Sequence, residues 1–160
     1  MDRSSIYVRR ATVEDIDVLA RLRVALQREM GHLAADTPED AFVEATRRYL
    51  AEALPSGAFI AWMAVADGQV VASSGLIFIA RPPSARNLSG REAHILNMYT
   101  VPEWRGRGIA TRLLRELIGA ARDADAHRIW LHASADGQPI YEKAGFAATH
   151  RTSPEMDLFW

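Results

Sequence analysis

The chain has 160 residues, a net charge of −1, 49% hydrophobic residues and no cysteine, which reads as one soluble globular domain over residues 1–160. The near-neutral balance speaks against nucleic-acid or membrane binding as its main work. The missing thiols exclude disulfides, a cysteine nucleophile and thiolate-bound metal. No metal ligand set is expected. The opening MDRSSIYVRR has no apolar signal core and no apolar run approaches membrane-spanning length, so a cytoplasmic location is expected.

A first strand is expected over Ile6–Arg9. Thr12 and Asp15 form a cap-like pair before a helix whose apolar positions (Ile16, Leu19, Leu22, Leu26) recur at helical spacing to about Glu29. Thr37-Pro38-Glu39-Asp40 starts a second helix, which Pro55-Ser56-Gly57 ends. Two strands follow, Ala58–Ala66 and Gln69–Ala80, with Asp67-Gly68 between them as a hairpin turn. The Pro-, Ser- and Asn-bearing stretch Arg81–Arg91 reads as a loop. A fourth strand is expected at Ala93–Thr100, a helix from about Gly108 to Ala124 and a fifth strand at Arg128–His132. A short helix around Pro139–Ala144, a strand Gly145–Arg151 and a closing segment Glu155–Trp160 complete the pattern.

The densest chemical signal is HILNMYTVPEWRGRGIAT, His94–Thr111. An apolar strand meets a Pro turn, then two glycines alternating with arginine, then an amphipathic helix. Backbone N–H groups freed at glycine and aimed from a helix N-terminus make an anion site, and the anion expected is a phosphate or pyrophosphate. An NTPase phosphate loop requires a Gly-Lys pair, which the chain lacks. The dinucleotide fingerprint fails at its third small position, where Thr111 stands, and the next strand ends in a histidine instead of an acid. The pattern R/Q-x-x-G-x-G/A is met in full by Arg105, Gly108 and Ala110.

With IYEKAGF (Ile140–Phe146) following at the right separation, the segment NMYTVPEWRGRGIATRLL (Asn97–Leu114) resembles the GNAT superfamily of acyl-CoA-dependent N-acetyltransferases. The resemblance implies an α/β (α+β) fold. Its mixed central sheet would have about six to seven strands, splayed between the fourth and fifth and flanked by about four helices. It implies acetyl-CoA as co-substrate and a small-molecule amine as acceptor, with neither nucleic acid nor membrane as partner. A homodimer is compatible with everything read so far.

The resemblance also assigns roles. The backbone of Arg105, Gly106, Arg107, Gly108, Ile109 and Ala110 would hold the pyrophosphate, with the side chains of Arg107 and Thr111 as further donors. Main-chain groups of Met98 and Thr100 would pair with the pantetheine arm, and a backbone N–H near Met98 or Tyr99 would polarise the acetyl carbonyl. His94 falls where relatives place a glutamate or histidine base, and Glu92 is the second candidate; an amine already deprotonated by solvent is the third possibility. Tyr141 matches the tyrosine that protonates the leaving thiolate. Ser134 stands, seven residues before it, where many relatives carry a cofactor-contacting asparagine.

On the acceptor side the expected walls are Met30–Thr37 and the Arg81–Arg91 loop, with Glu29 and Asp36 as attractors for a cationic amine and His132 as a possible lining residue. Two rival readings stay open on the sequence alone. One is an enzyme acting on a protein amine; the other is an acyl-CoA-binding sensor without catalysis.

Overall fold

The computed structural model describes residues 5–149 and 153–160. Five strands, β1 (Tyr7–Arg10), β2 (Phe59–Ala66), β3 (Gln69–Ala80), β4 (Arg91–Thr100) and β5 (Arg128–Trp130), form one sheet in sequence order. The first four pair antiparallel, and β5 joins β4 in parallel, so the sheet is mixed as expected. The helices are α1 (Ile16–Glu29), α2 (Glu39–Ser56), α3 (Ile109–Asp123) and α4 (Gln138–Lys143). Among the described residues no helix is long and apolar enough to cross a membrane.

Local chemistry sets the boundaries. Thr12 and Asp15 form the expected capping box, beginning with a 3-10 turn at Val13–Asp15. The buried Asp15 also takes both guanidinium nitrogens of Arg9, at 2.8 and 2.7 Å, which ties α1 to β1. Asp67 and Gly68 both have positive φ, as the tight β2–β3 hairpin requires. Gly57, left-handed, closes α2 after Pro55 has been accommodated in its last turn.

One face of the sheet packs on α1 and α2 through Leu19, Leu50, Phe59 and Met63. The other packs on α3, whose stripe Ile109, Leu113, Leu114, Leu117 and Ala121 is buried at helical spacing. Burying each of those leucines contributes about 1.5–3 kcal/mol. Ile140 and Tyr141 of α4 join this second core beside Phe146.

Among the described residues the sheet has five strands instead of six or seven. Residues 145–149 form no strand, and His150–Thr152 lie outside the described residues. Gly145 (φ 96°) turns the chain out of α4, and Phe146, the one large apolar residue of Phe146–Thr149, packs into the α3 core. An alternation with a single large apolar member has too little to bury as a strand. The closing segment likewise forms no strand: Met156, Leu158, Phe159 and Trp160 are exposed.

Candidate active site

Two irregularities shape the middle of β4. Leu96 pairs with Gly75 and Tyr99 with Ser73, so Asn97 and Met98 together oppose Ser74. This is a bulge, and Asn97 takes the left-handed conformation (φ 57°) that asparagine tolerates better than most residues. Gly75, opposite Leu96 beside the bulge, is required there, because a Cβ would lie 2.5 Å from Phe59 Cζ. In addition, β5 pairs only with Glu92, Ala93 and His94, which leaves Ile95–Thr100 of β4 without a β5 partner. The sheet is therefore splayed where the resemblance expects it, with main-chain groups near Met98 and Tyr99 on an open edge.

Beyond β4 the chain makes a 3-10 turn at Pro102–Trp104 and then the glycine turn. Gly106 and Gly108 both have φ of 74°, and an added Cβ at either would meet nothing within 4 Å. Open space thus fronts the turn. No side chain caps the start of α3 and no acid lies in its first turn, so the N–H groups of Ile109, Ala110 and Thr111 face that space uncapped. Ile109 itself is anchored in the core.

The arginines divide their work. Arg105 donates Nε to the Thr100 carbonyl at 2.9 Å and Nη2 to Glu29 at 2.7 Å, and lies over the Tyr99 ring. It clamps the turn to β4 and to the end of α1. That uses one of the two acceptor positions of the Thr100 carbonyl, and it commits Glu29, expected to attract an amine, to an ion pair. Arg107 lies over Trp104, 4.4 Å from the ring centroid, on the exposed side of the turn.

Toward β5, the His94 ring stacks on Trp130 and meets His132 edge-on, at 6.0 Å between centroids. Burial, and then the nearby His132, lower the His94 pKa below 6.5. The shift favours the neutral imidazole, the form that can accept a proton. Glu92 is different. Its buried carboxylate accepts from Arg81 at 3.0 Å and from Arg128 at 3.2 Å. Burial pushes its pKa up, but the hydrogen bonds from Arg81 and Arg128 outweigh this and hold it low. A carboxylate so held ties the Arg81–Arg91 loop to β5 and is a poor proton acceptor.

Tyr141 packs against Phe146 (6.0 Å, edge to face), and burial raises its pKa. Its phenol stays protonated well above neutrality, as a proton donor must. Ser134 does not reach forward as a longer asparagine would. Its Oγ accepts from Gly137 N–H at 3.1 Å, and its carbonyl accepts from Gln138 N–H at 2.9 Å, which opens α4.

A cavity of about 300 Å³ lies between α1, α2 and the sheet, running from Leu19 and Phe42 to Leu96 and Asn97 of the bulge. The sequence reading missed it and its cation, Arg23, which donates to Asn97 Oδ1. A signal was present. Arg23 is four residues after Leu19 on the buried stripe of α1, and Asn97 interrupts an apolar strand.

A profile described as the acetyltransferase (GNAT) family matches residues 22–146, well over half of the chain. The chain belongs to this family. Enzyme class and acetyl-CoA as co-substrate follow from that membership, as the sequence resemblance implied. A predicted acetyltransferase from Clostridium acetobutylicum, solved with acetyl-CoA, is 32% identical, with 96% of each chain covered and a TM-score of 0.85. A GCN5-related N-acetyltransferase from Ralstonia eutropha JMP134 is 27% identical over 95% of this chain and 99% of its own, with a TM-score of 0.79. A glucosamine 6-phosphate N-acetyltransferase from Trypanosoma brucei brucei is 32% identical over 92 residues, 57% of this chain and 59% of that enzyme. The GNAT site fits the co-substrate: an uncapped helix start with open space before two left-handed glycines suits a pyrophosphate, and the unpaired β4 edge suits an extended arm.

Proposed function

We propose that the chain is an N-acetyltransferase that moves the acetyl group of acetyl-CoA directly to the primary amine of a small molecule. The observation that carries this reading is the half-buried imidazole of His94, stacked on Trp130 at the last β4 residue paired with β5 and three residues before the bulge. An acceptor amine of pKa about 10 is mostly protonated at neutral pH, so a proton acceptor at that place is what transfer needs.

Bound acetyl-CoA supplies the acetyl group as an activated thioester. The first turn of α3 with Gly106 and Gly108 holds its phosphates by main-chain N–H groups. Main-chain groups of Met98 and Tyr99 stabilise charge building on the carbonyl oxygen, a large contribution because they are fixed beforehand. His94 takes the proton that the amine loses as the C–N bond forms. The Tyr141 hydroxyl gives a proton to sulfur as the C–S bond breaks, and both side chains re-equilibrate with solvent. A small acceptor is supported by the bounded cavity that reaches Asn97, and by the small phosphosugar amine named for the trypanosomal relative.

The test is thiol release from acetyl-CoA across a panel of amines, amino acids and amino sugars. Release that depends on the amine, with an N-acetylated product, is expected. Binding of acetyl-CoA without release on any amine would overturn the reading.

A further inference from the structure

The cavity between α1, α2 and the sheet has an unbalanced lining. Leu19, Phe42, Leu50, Phe59, Ile77 and Leu96 supply apolar walls. Of its polar members, Thr46 and Ser74 spend their hydroxyls on the carbonyls of Phe42 and Trp62, at 2.8 and 3.0 Å. What remains is rich in donors: the Arg23 guanidinium, the Asn97 amide and the hydroxyls of Tyr49 and Ser73. No acid lines the cavity, and among the described residues no carboxylate lies in ion-pair reach of Arg23.

That contrast is informative. Among the described residues the other arginines without a carboxylate partner, such as Arg10, Arg21, Arg107 and Arg115, are exposed, and the other half-buried ones, Arg9, Arg47 and Arg128, each have one. Arg23 is half-buried over the Phe42 ring with a neutral acceptor, the Asn97 carbonyl oxygen. A guanidinium in an apolar site is stabilised strongly by an anion and weakly by an amide. Its fork geometry matches a carboxylate or a phosphate, and the apolar walls around it decide between the bodies that carry them.

We infer that the acceptor is an apolar α-amino acid, its carboxylate on Arg23 and its side chain among the leucine, phenylalanine and isoleucine walls. Position selects the α-amine: Arg23 is bonded to the first residue of the bulge, so an amine one carbon from the carboxylate comes to the β4 edge. The walls select the side chain, since the hydroxyls of a sugar would outnumber the few polar groups among these apolar residues and lose water without full replacement. The volume lies at the low end of small-molecule sites, about 300–1,000 Å³. This inference rests on the acetyltransferase reading and names its substrate class.

The experiment compares leucine and phenylalanine with isoamylamine and phenethylamine, the same bodies without the carboxylate, by thiol release from acetyl-CoA. In the native protein kcat/KM should favour the amino acids by about 10²-fold, mostly through KM. In Arg23→Gln that ratio should collapse to within a few-fold of one, and Arg23→Lys should restore part of it. A native ratio near one, or a preference for glucosamine 6-phosphate, overturns the inference while leaving the acetyltransferase reading intact. Release with no amine of any class removes both. If Arg23→Gln fails to fold, the native ratio decides alone.

Discussion

The imidazole of His94 lies flat against the indole of Trp130, with ring centroids 3.9 Å apart and planes within 6°. The stack covers one face of the ring, and burial is the leading cause of its lowered pKa. A base must be neutral to act, so kcat/KM should rise with pH through the His94 pKa and level off above it. Because that pKa is lowered, the acid limb should lie below pH 6.5. His94→Ala should remove the limb and cost about 10²-fold at neutral pH. Trp130→Leu, by uncovering the ring, should move the limb upward. A loss independent of pH in His94→Ala would show that the residue only shapes the pocket.

Glu92→Gln separates the two candidate bases. Its carboxylate balances Arg81 and Arg128, both partly exposed, so the loss of stability should be about 1–2 kcal/mol. The sign follows from the lowered folded pKa. The contribution is fully present above the ordinary value of 4.5 and is lost as pH falls through the folded pKa. Glu92→Gln should therefore lower Tm at pH 7 and leave the acid limb of kcat/KM in place. A variant that loses the limb with unchanged Tm would make Glu92 the base.

Gly108 opens α3 at φ 74° with free space in front. Gly108→Ala should cost about 1 kcal/mol through its left-handed backbone and keep most of the thermal shift on acetyl-CoA. Gly108→Glu places a negative charge before the uncapped N–H groups and should abolish that shift. A full acetyl-CoA shift in a folded Gly108→Glu protein would take the phosphates elsewhere.

Tyr141→Phe should lower kcat about tenfold or more while acetyl-CoA affinity holds, since only the proton donor is lost. Gly137→Ala offers an independent check. Its Cβ would come within 3.1 Å of both Tyr141 Cε2 and Ser134 Oγ, so the ring must shift and kcat should fall with it. Unchanged turnover in Tyr141→Phe, with chemistry rate-limiting, would leave Tyr141 as a packing residue.

The legible features were those that local chemistry writes into neighbouring residues. The Thr12–Asp15 cap, the Asp67-Gly68 turn and the glycines before α3 each appear as short patterns with one physical solution. The partners brought together by long-range packing were not legible. Nothing near Glu92 announces Arg81 and Arg128, and nothing near Glu29 announces Arg105, 76 residues away. Of the expected strand Gly145–Arg151, the described residues 145–149 form none, because Phe146 packs into the α3 core, a long-range contact of the same kind.

The most direct measurement follows the acetyl group itself. The protein is mixed with acetyl-CoA labelled in its acetyl carbon and then with the acceptor found in the amine panel. Released CoA, N-acetylated amine and intact protein mass are read together by mass spectrometry. The account predicts one labelled N-acetyl product for each CoA released, no acetyl on the protein at any time, and both products suppressed in His94→Ala and Tyr141→Phe. A protein that binds acetyl-CoA with the expected thermal shift, yet forms no labelled amine or carries the acetyl group on itself, would contradict it.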